Sequence, residues 1–358
     1  MVVLGPLTRL LIGSLIGLVT LWLAFRGHGL AALGQAVGQA HAAGVWLALA
    51  SVGATLFVVT VRWQVLFGRG DIPAEPTPDH QHTPRPGTGA VRLVPSLRAL
   101  FAALILGQAT NIVLPIRIGE LLRVYVASRA GSVPVSGVLA TVVVERLADV
   151  AMLALGASVL AVYVALPDWV VGPTRALAVT GLIAVGAIAV IVLAGGRLSA
   201  FIQARVAASA SRNRTIQRLA HHGALAVGEA TNLRDWRTLS AVAALSVLSL
   251  VLSASTNYLL FRAFDMPLPF VAALFLLLVL AVGTAPVSTP GNLGVFQYLT
   301  VLALGAYGVD GTKALAYSMV LYAVALGPKL VIGAIVFGIV TKRGVLEPGI
   351  WAKLRGRE

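Results

Sequence analysis

Asn111-Ile-Val-Leu-Pro115-Ile-Arg117-Ile-Gly119-Glu120 sits in the middle of an apolar run that extends from Leu97 to Ala130. Proline removes a backbone donor and glycine loosens the chain, so a helix breaks here and leaves an arm of helical length on each side. Non-helical backbone survives at membrane depth only where protein or a wet cavity satisfies it. The stretch reads as the tip of a re-entrant helical hairpin; the competing reading is a pair of short spanning helices with a surface turn. A second break, Pro286-Val-Ser-Thr-Pro290-Gly291-Asn292-Leu-Gly294, divides the apolar run Leu268–Val309 in the same way.

Around these two breaks lie six uninterrupted apolar spans, Leu7–Phe25, Gly44–Phe67, Val135–Leu166, Pro173–Gly195, Thr238–Phe261 and Thr312–Val340. Each is long enough to cross about 30 Å of hydrocarbon. Of 358 residues, 58% are hydrophobic and 11% are charged, and mean hydropathy is +0.91. A soluble fold has no way to bury that much apolar surface, so the fold class is an all-α polytopic membrane protein. The first span lacks a small-residue cleavage site after it and reads as a retained helix rather than a signal peptide.

The net charge of +14 comes from 27 Lys+Arg against 13 Asp+Glu. No basic stretch is interleaved with stacking aromatics, which argues against nucleic acid as a partner. The basic residues instead gather in three segments: 68–98, 196–237 and the tail from Lys342. With six spans and two hairpins all three fall on one face, which the positive-inside rule makes the cytoplasm, with both termini inside. Residues 1–345 then form one transmembrane domain, followed by a basic tail, 346–358. Within that domain 68–97 is a Pro-rich cytoplasmic loop. The stretch 196–237 is a basic amphipathic segment at the inner surface, where arginines meet anionic headgroups. His80 and His82 in the Pro-rich loop, and His221-His222, read as solvated side chains. No metal and no cofactor is expected; the absence of cysteine removes thiolate ligands and disulfides.

The two breaks resemble each other. Pro115 and Gly119 recur as Pro290 and Gly294, each 175 residues later. Three spans separate the hairpins, so the first enters from the cytoplasm and the second from outside. That is an inverted repeat, the layout of many transporters, with the site at the midplane between broken helices.

Ionisable residues inside spans are costly and point to function. Glu145, Arg146 and Asp149 lie about ten residues into a span, roughly 15 Å deep. Glu145 and Asp149 share a helix face, and Arg146 reaches Asp149 at i, i+3. They form either an internal ion-pair network or part of a substrate or proton path. Arg117, Glu120 and Arg123 lie at the first break, where a helix N-terminus and guanidinium groups suit a phosphate; alternatively Arg117 pairs with Glu145 or Asp149 and Arg123 snorkels to the interface. The second break offers Ser288, Thr289, Asn292 and Gln297 without charge. Lys329 either neutralises one of the carboxylates or meets a phosphate. Arg62-Trp63 reads as a snorkelling and belt pair, and Asn257 as an interhelical hydrogen-bonding residue. The chain has no Gly-x-x-x-x-Gly-Lys-Ser/Thr loop for an ATPase of its own, no Gly-x-Ser-x-Gly elbow and no His-Glu-x-x-His motif. A metal-dependent transferase using Glu120, Glu145 and Asp149 is the weakest competitor, because none lies in an Asp-x-x-Asp cluster.

Asn111-x-x-Leu-Pro115-x-Arg117-x-Gly119-Glu120-x-x-Arg123, Glu145-Arg146-x-x-Asp149 and Pro290-Gly291-x-x-Gly294-x-Phe296, preceded by Arg62-Trp63, together resemble the lysylphosphatidylglycerol synthetase transmembrane, or flippase-like domain, family from about residue 10 to 341. The resemblance implies a lipid translocase of the bacterial inner membrane, moving a phospholipid or related polar lipid between leaflets, and not a chemical catalyst. Its implied functional positions are Asn111, Arg117, Glu120, Arg123, Glu145, Arg146, Asp149, Pro290, Gly291 and Gly294. Two departures bear on any charge mechanism: Gln297 stands where the family often has an acid, and Leu321-Tyr322-Ala323 lacks an Arg often found after the aromatic. No soluble aminoacyl-transferase domain is read in this chain, so lysyl-lipid synthesis is not expected. The competing function is a scaffold that presents lipid to a partner lipid-modifying enzyme, and a homo-oligomer is compatible with either.

Overall fold

The computed structural model describes residues 6–27, 29–67, 94–114, 118–131, 133–163, 168–208, 235–285 and 289–342. Arg117, Ser288, most of the Pro-rich loop with its histidines, residues 209–234 of the basic segment and the tail beyond 342 lie outside the described residues.

Eleven α-helices are present among the described residues. They are α1 (Pro6–Phe25), α2 (Leu30–Gly38), α3 (Ala42–Leu66), α4 (Leu97–Val113), α5 (Gly119–Gly131), α6 (Val135–Tyr163), α7 (Asp168–Ala208), α8 (Trp236–Ala263), α9 (Phe270–Thr284), α10 (Val295–Gly305) and α11 (Gly311–Lys342). Local sequence sets several starts. The Ser96 hydroxyl accepts from the Ala99 amide to cap α4, the Asp235 carboxylate caps α8, and the Asp310 carboxylate accepts from the amides of Thr312 and Lys313 to cap α11. By length and composition α3, α8, α11 and the Val171–Ile191 part of α7 suffice to cross a bilayer. The 29-residue α6 is also long enough but carries Glu145, Arg146 and Asp149. The protein is a polytopic all-α membrane protein.

Helices α4 and α5 form the first hairpin, and α9 and α10 the second. Their arms have 17, 13, 15 and 11 residues, about 25 Å at most, which is too short for a full crossing. The two hairpins meet tip to tip. The 3₁₀ turn Pro290–Asn292 packs on α4, with Gly291 beside Ile112. The order of neighbours along α11 follows from this. Tyr317 packs against Phe261 of α8 and Phe264 just after it, the Tyr322 hydroxyl donates to the Gly291 carbonyl at the second hairpin's tip (3.0 Å), and Gly333 lies against Ala109 of the first hairpin. Two buried clusters form, one mostly around the second hairpin but reaching Ile105 of the first, the other around the first hairpin. Phe261, Phe275 and Tyr317 centre one; Trp63, Leu104 and Leu122 centre the other. Helix α3 contributes to both, through Leu56 and through Trp63 and Leu66.

Two sequence boundaries are corrected. The connection after the first span contains α2, a nine-residue helix that packs on α11; its apolar residues were too few to read as a span. Helix α7 runs on past Gly195 to Ala208, because nothing in Arg197–Ala208 breaks a helix. The Asn257 amide donates to the Ala273 carbonyl at 3.1 Å, the interhelical bond expected of it.

Candidate functional site

Three carboxylates and three arginines close into a circuit of alternating charge. Glu145, on α6, is 1% exposed and lies between two guanidinium groups, Arg123 from α5 and Arg62 from α3, each 2% exposed. Arg62 also pairs with Asp149 at 2.7 Å, Asp149 with Arg146 at 3.3 Å, Arg146 with Glu120 at 3.4 Å, and Glu120 with Arg123 at 3.8 Å. The circuit is internally neutral. Burying one of these charges alone would cost several kcal/mol, on the order of 3–5; alternation of sign around the circuit offsets most of that for its three buried members, Arg62, Arg123 and Glu145. Neighbouring groups lock the members in place. Arg62 donates to the Ser246 hydroxyl (3.1 Å), the Arg123 guanidinium stacks 3.7 Å over the Trp63 ring, and the Trp63 indole donates to Thr141 (2.9 Å).

Arg146 is the exposed corner, 50% accessible. With Glu120 it borders a cavity of about 550 Å³ between the hairpin tips. The cavity is lined further by Gln108 and Asn111 from the first hairpin, by Thr289, Gly291 and Asn292 from the second, and by Lys329 from α11. Thr289 is buried and its hydroxyl has no hydrogen-bond partner among the described residues.

Both second arms begin at a glycine whose amide is held by a side-chain carbonyl. At Gly119 the amide donates to the Asn111 side-chain carbonyl (2.8 Å), and at Gly294 the amide donates to the Gln297 side-chain carbonyl (2.8 Å). A Cβ on either glycine would run into a neighbouring backbone carbonyl, that of Gly107 or of Gly17. The two glycines of the repeat, Gly119 and Gly294, are thus both held by a side-chain amide and both closely packed, but Gly294 alone has a positive φ; Pro115 lies outside the described residues. We expect Asn111→Ala to uncap α5 and cost about 0.5–2 kcal/mol, read as a fall in the thermal midpoint of the purified protein. No change in that midpoint would mean the cap is idle.

The structure divides the sequence-selected residues. Asn111, Glu120, Arg146, Gly291, Asn292 and Lys329 border the cavity. Arg123 does not reach it: neither snorkelling nor free for a phosphate, it is committed to Glu145 and Trp63. Glu145 is likewise enclosed, and its partners are Arg62 and Arg123 in addition to its neighbour Arg146. Asp149 serves the circuit, Gln297 is a cap, Gly294 is a packing residue against α1, and Pro290 opens the 3₁₀ turn. The free helix end expected after Pro115 is capped at Gly119 by Asn111. Lys329 neutralises none of the three carboxylates. Arg62 is the residue that sequence reading missed. It is a buried network member and not a snorkelling one. The stripe Ser51, Thr55, Arg62 at helical spacing was the available sign that this face of α3 turns inward.

No curated protein and no solved structure was found to match the chain. The sequence model of the lysylphosphatidylglycerol synthase TM region matches residues 10–333. That match takes in both hairpins, the charge circuit and all the residues that border the cavity, and the chain belongs to the lysylphosphatidylglycerol synthase TM-region family.

Proposed function

We propose that the protein moves a polar lipid between the two leaflets of the bacterial inner membrane, as a translocase and not as a chemical catalyst. The observation that carries this reading is the partly open cavity between the two hairpin tips, where polar and charged side chains stand among apolar ones. Its volume of about 550 Å³ suits a headgroup, within the roughly 300–1,000 Å³ of ordinary ligand sites. The acyl chains would stay in the surrounding bilayer. Opposed broken helices with a site between their tips are the geometry by which transporters expose a site to one face and then the other. Family membership supports the same reading.

The test is a leaflet assay with purified protein in liposomes carrying fluorescent lipids. Protein-containing vesicles should expose inner-leaflet probe faster than empty ones. Arg146→Gln should slow that transfer about tenfold, the loss expected for one charge-assisted hydrogen bond. It should leave stability within about 1 kcal/mol, because Arg146 is half exposed and Glu120 and Asp149 keep Arg123 and Arg62 as partners. Transfer no faster than in empty vesicles, for every polar lipid tried, would refute the translocase reading and favour a lipid-presenting scaffold.

A further inference from the structure

The charge circuit balances itself, and Lys329 stands outside it. Lys329 follows Pro328 within α11 and borders the same cavity as Glu120 and Arg146. Among the described residues no carboxylate lies within ion-pairing distance of its ammonium group, and no hydrogen bond engages it. The hairpin-tip residues between the described arms, Pro115-Ile-Arg117 and Pro286-Val-Ser288, contain no acid. Glu120 accepts no hydrogen bond at its second oxygen, but that oxygen lies 3.8 Å from Arg123 and its charge is balanced within the circuit. The remaining polar lining is uncharged: Gln108, Asn111, Thr289 and Asn292 among others.

A lone ammonium group inside a membrane protein needs an anion. Building on the reading of this cavity as a headgroup site, we propose that Lys329 anchors the phosphate of a lipid whose headgroup is net negative, and that the cavity selects such lipids over zwitterionic ones. A net-negative headgroup supplies the missing charge. A zwitterionic headgroup supplies the same phosphate but also its own ammonium group, and that group meets Lys329 and Arg146 with no unbalanced carboxylate to receive it. The neutral donors of Asn111, Gln108 and Asn292 orient the headgroup and do not discriminate by charge.

The experiment pairs two fluorescent lipids with identical chains, a phosphatidylglycerol and a phosphatidylcholine. Each is measured for equilibrium binding to the purified protein in neutral detergent and for leaflet transfer in liposomes. The wild-type protein should bind the anionic probe about tenfold more tightly, the order of one charge-assisted contact. Lys329→Met should remove that preference by weakening the anionic probe alone, and Lys329→Arg should keep most of it. Equal binding of the two probes by the wild-type protein overturns the anchor, as does an equal loss of both in Lys329→Met. The wild-type comparison stands even where a substitution prevents folding. Selective binding without leaflet transfer would leave the anchor in place and overturn translocation; transfer without selectivity would do the reverse.

Discussion

Glu145→Gln should destabilise the protein by about 3–5 kcal/mol, because it takes from each of the buried cations Arg62 and Arg123 one of its two carboxylate partners. A membrane protein with a typical net stability of about 5–15 kcal/mol would keep little margin. The measurement is the thermal midpoint of the purified protein in detergent, together with the yield of monodisperse material. Glu120→Gln provides the contrast. It is partly exposed and its pairs are longer, at 3.4 and 3.8 Å, so its cost should stay near 1 kcal/mol. The decisive comparison is non-additive. Arg123→Met combined with Glu145→Met removes one cation and one anion together and leaves Arg62 on Asp149 and Glu120 on Arg146. Replacing a buried pair by apolar groups is often close to neutral, so the double variant should be more stable than Glu145→Gln alone. A double variant that is worse by the sum of its parts would mean that packing, not charge balance, governs the site.

Gly294→Ala should be comparably damaging for a different reason. Gly294 holds φ +85° and ψ −56° at the start of α10, a backbone conformation that side-chain-bearing residues rarely adopt. Its added methyl would also press on α1, where the Gly17 carbonyl, the Leu21 amide and the Thr20 hydroxyl crowd the site. Strain and overpacking together should cost about 3 kcal/mol or more. The matched control is Gly34→Ala within α2, where nothing lies within 4 Å of the new methyl and helix propensity favours alanine by up to about 1 kcal/mol. Opposite shifts in thermal midpoint are expected, downward for Gly294→Ala and level or upward for Gly34→Ala. If Gly294→Ala melts with the wild-type protein, then α1 and the second hairpin do not pack as described.

The two hairpins were legible because their cause is local. Pro115 with Gly119, and Pro290 with Gly294, break a helix whatever surrounds them, and the apolar arms on both sides leave few places for the chain to go. That Glu145 and Asp149 share one helix could likewise be read from their spacing. Which cations would meet them could not, because pairing depends on how α3, α5 and α6 are rotated against one another. Arg62, four residues from the end of α3, looks like a residue that reaches for the headgroups. The pairing of Arg62 with Glu145 and Asp149, and the packing of Trp63 under Arg123, turn that face inward. Arg123 was misjudged in the complementary way: a guanidinium near a broken helix matches phosphate chemistry, but the aromatic ring and Glu145 occupy it first. Lys329 stayed ambiguous in sequence for the same reason, since its isolation is a property of the assembled cavity.

The circuit also imposes an order on how the protein is made. Arg62 precedes Glu145 by 83 residues in the chain. At a synthesis rate of about 5–20 residues per second, α3 waits roughly 4–17 s for its anion. During that interval it carries a cation that disfavours insertion by about 2.5–3.5 kcal/mol at the helix centre and by less near an end. The nascent α3 has its apolar length of 25 residues to hold it. The pairing of Arg62 with Glu145 and Asp149 can form only after α6 is made, and its bond to Ser246 only after α8. The buried state of this one arginine is thus a property that the chain acquires from helices not yet translated when α3 is.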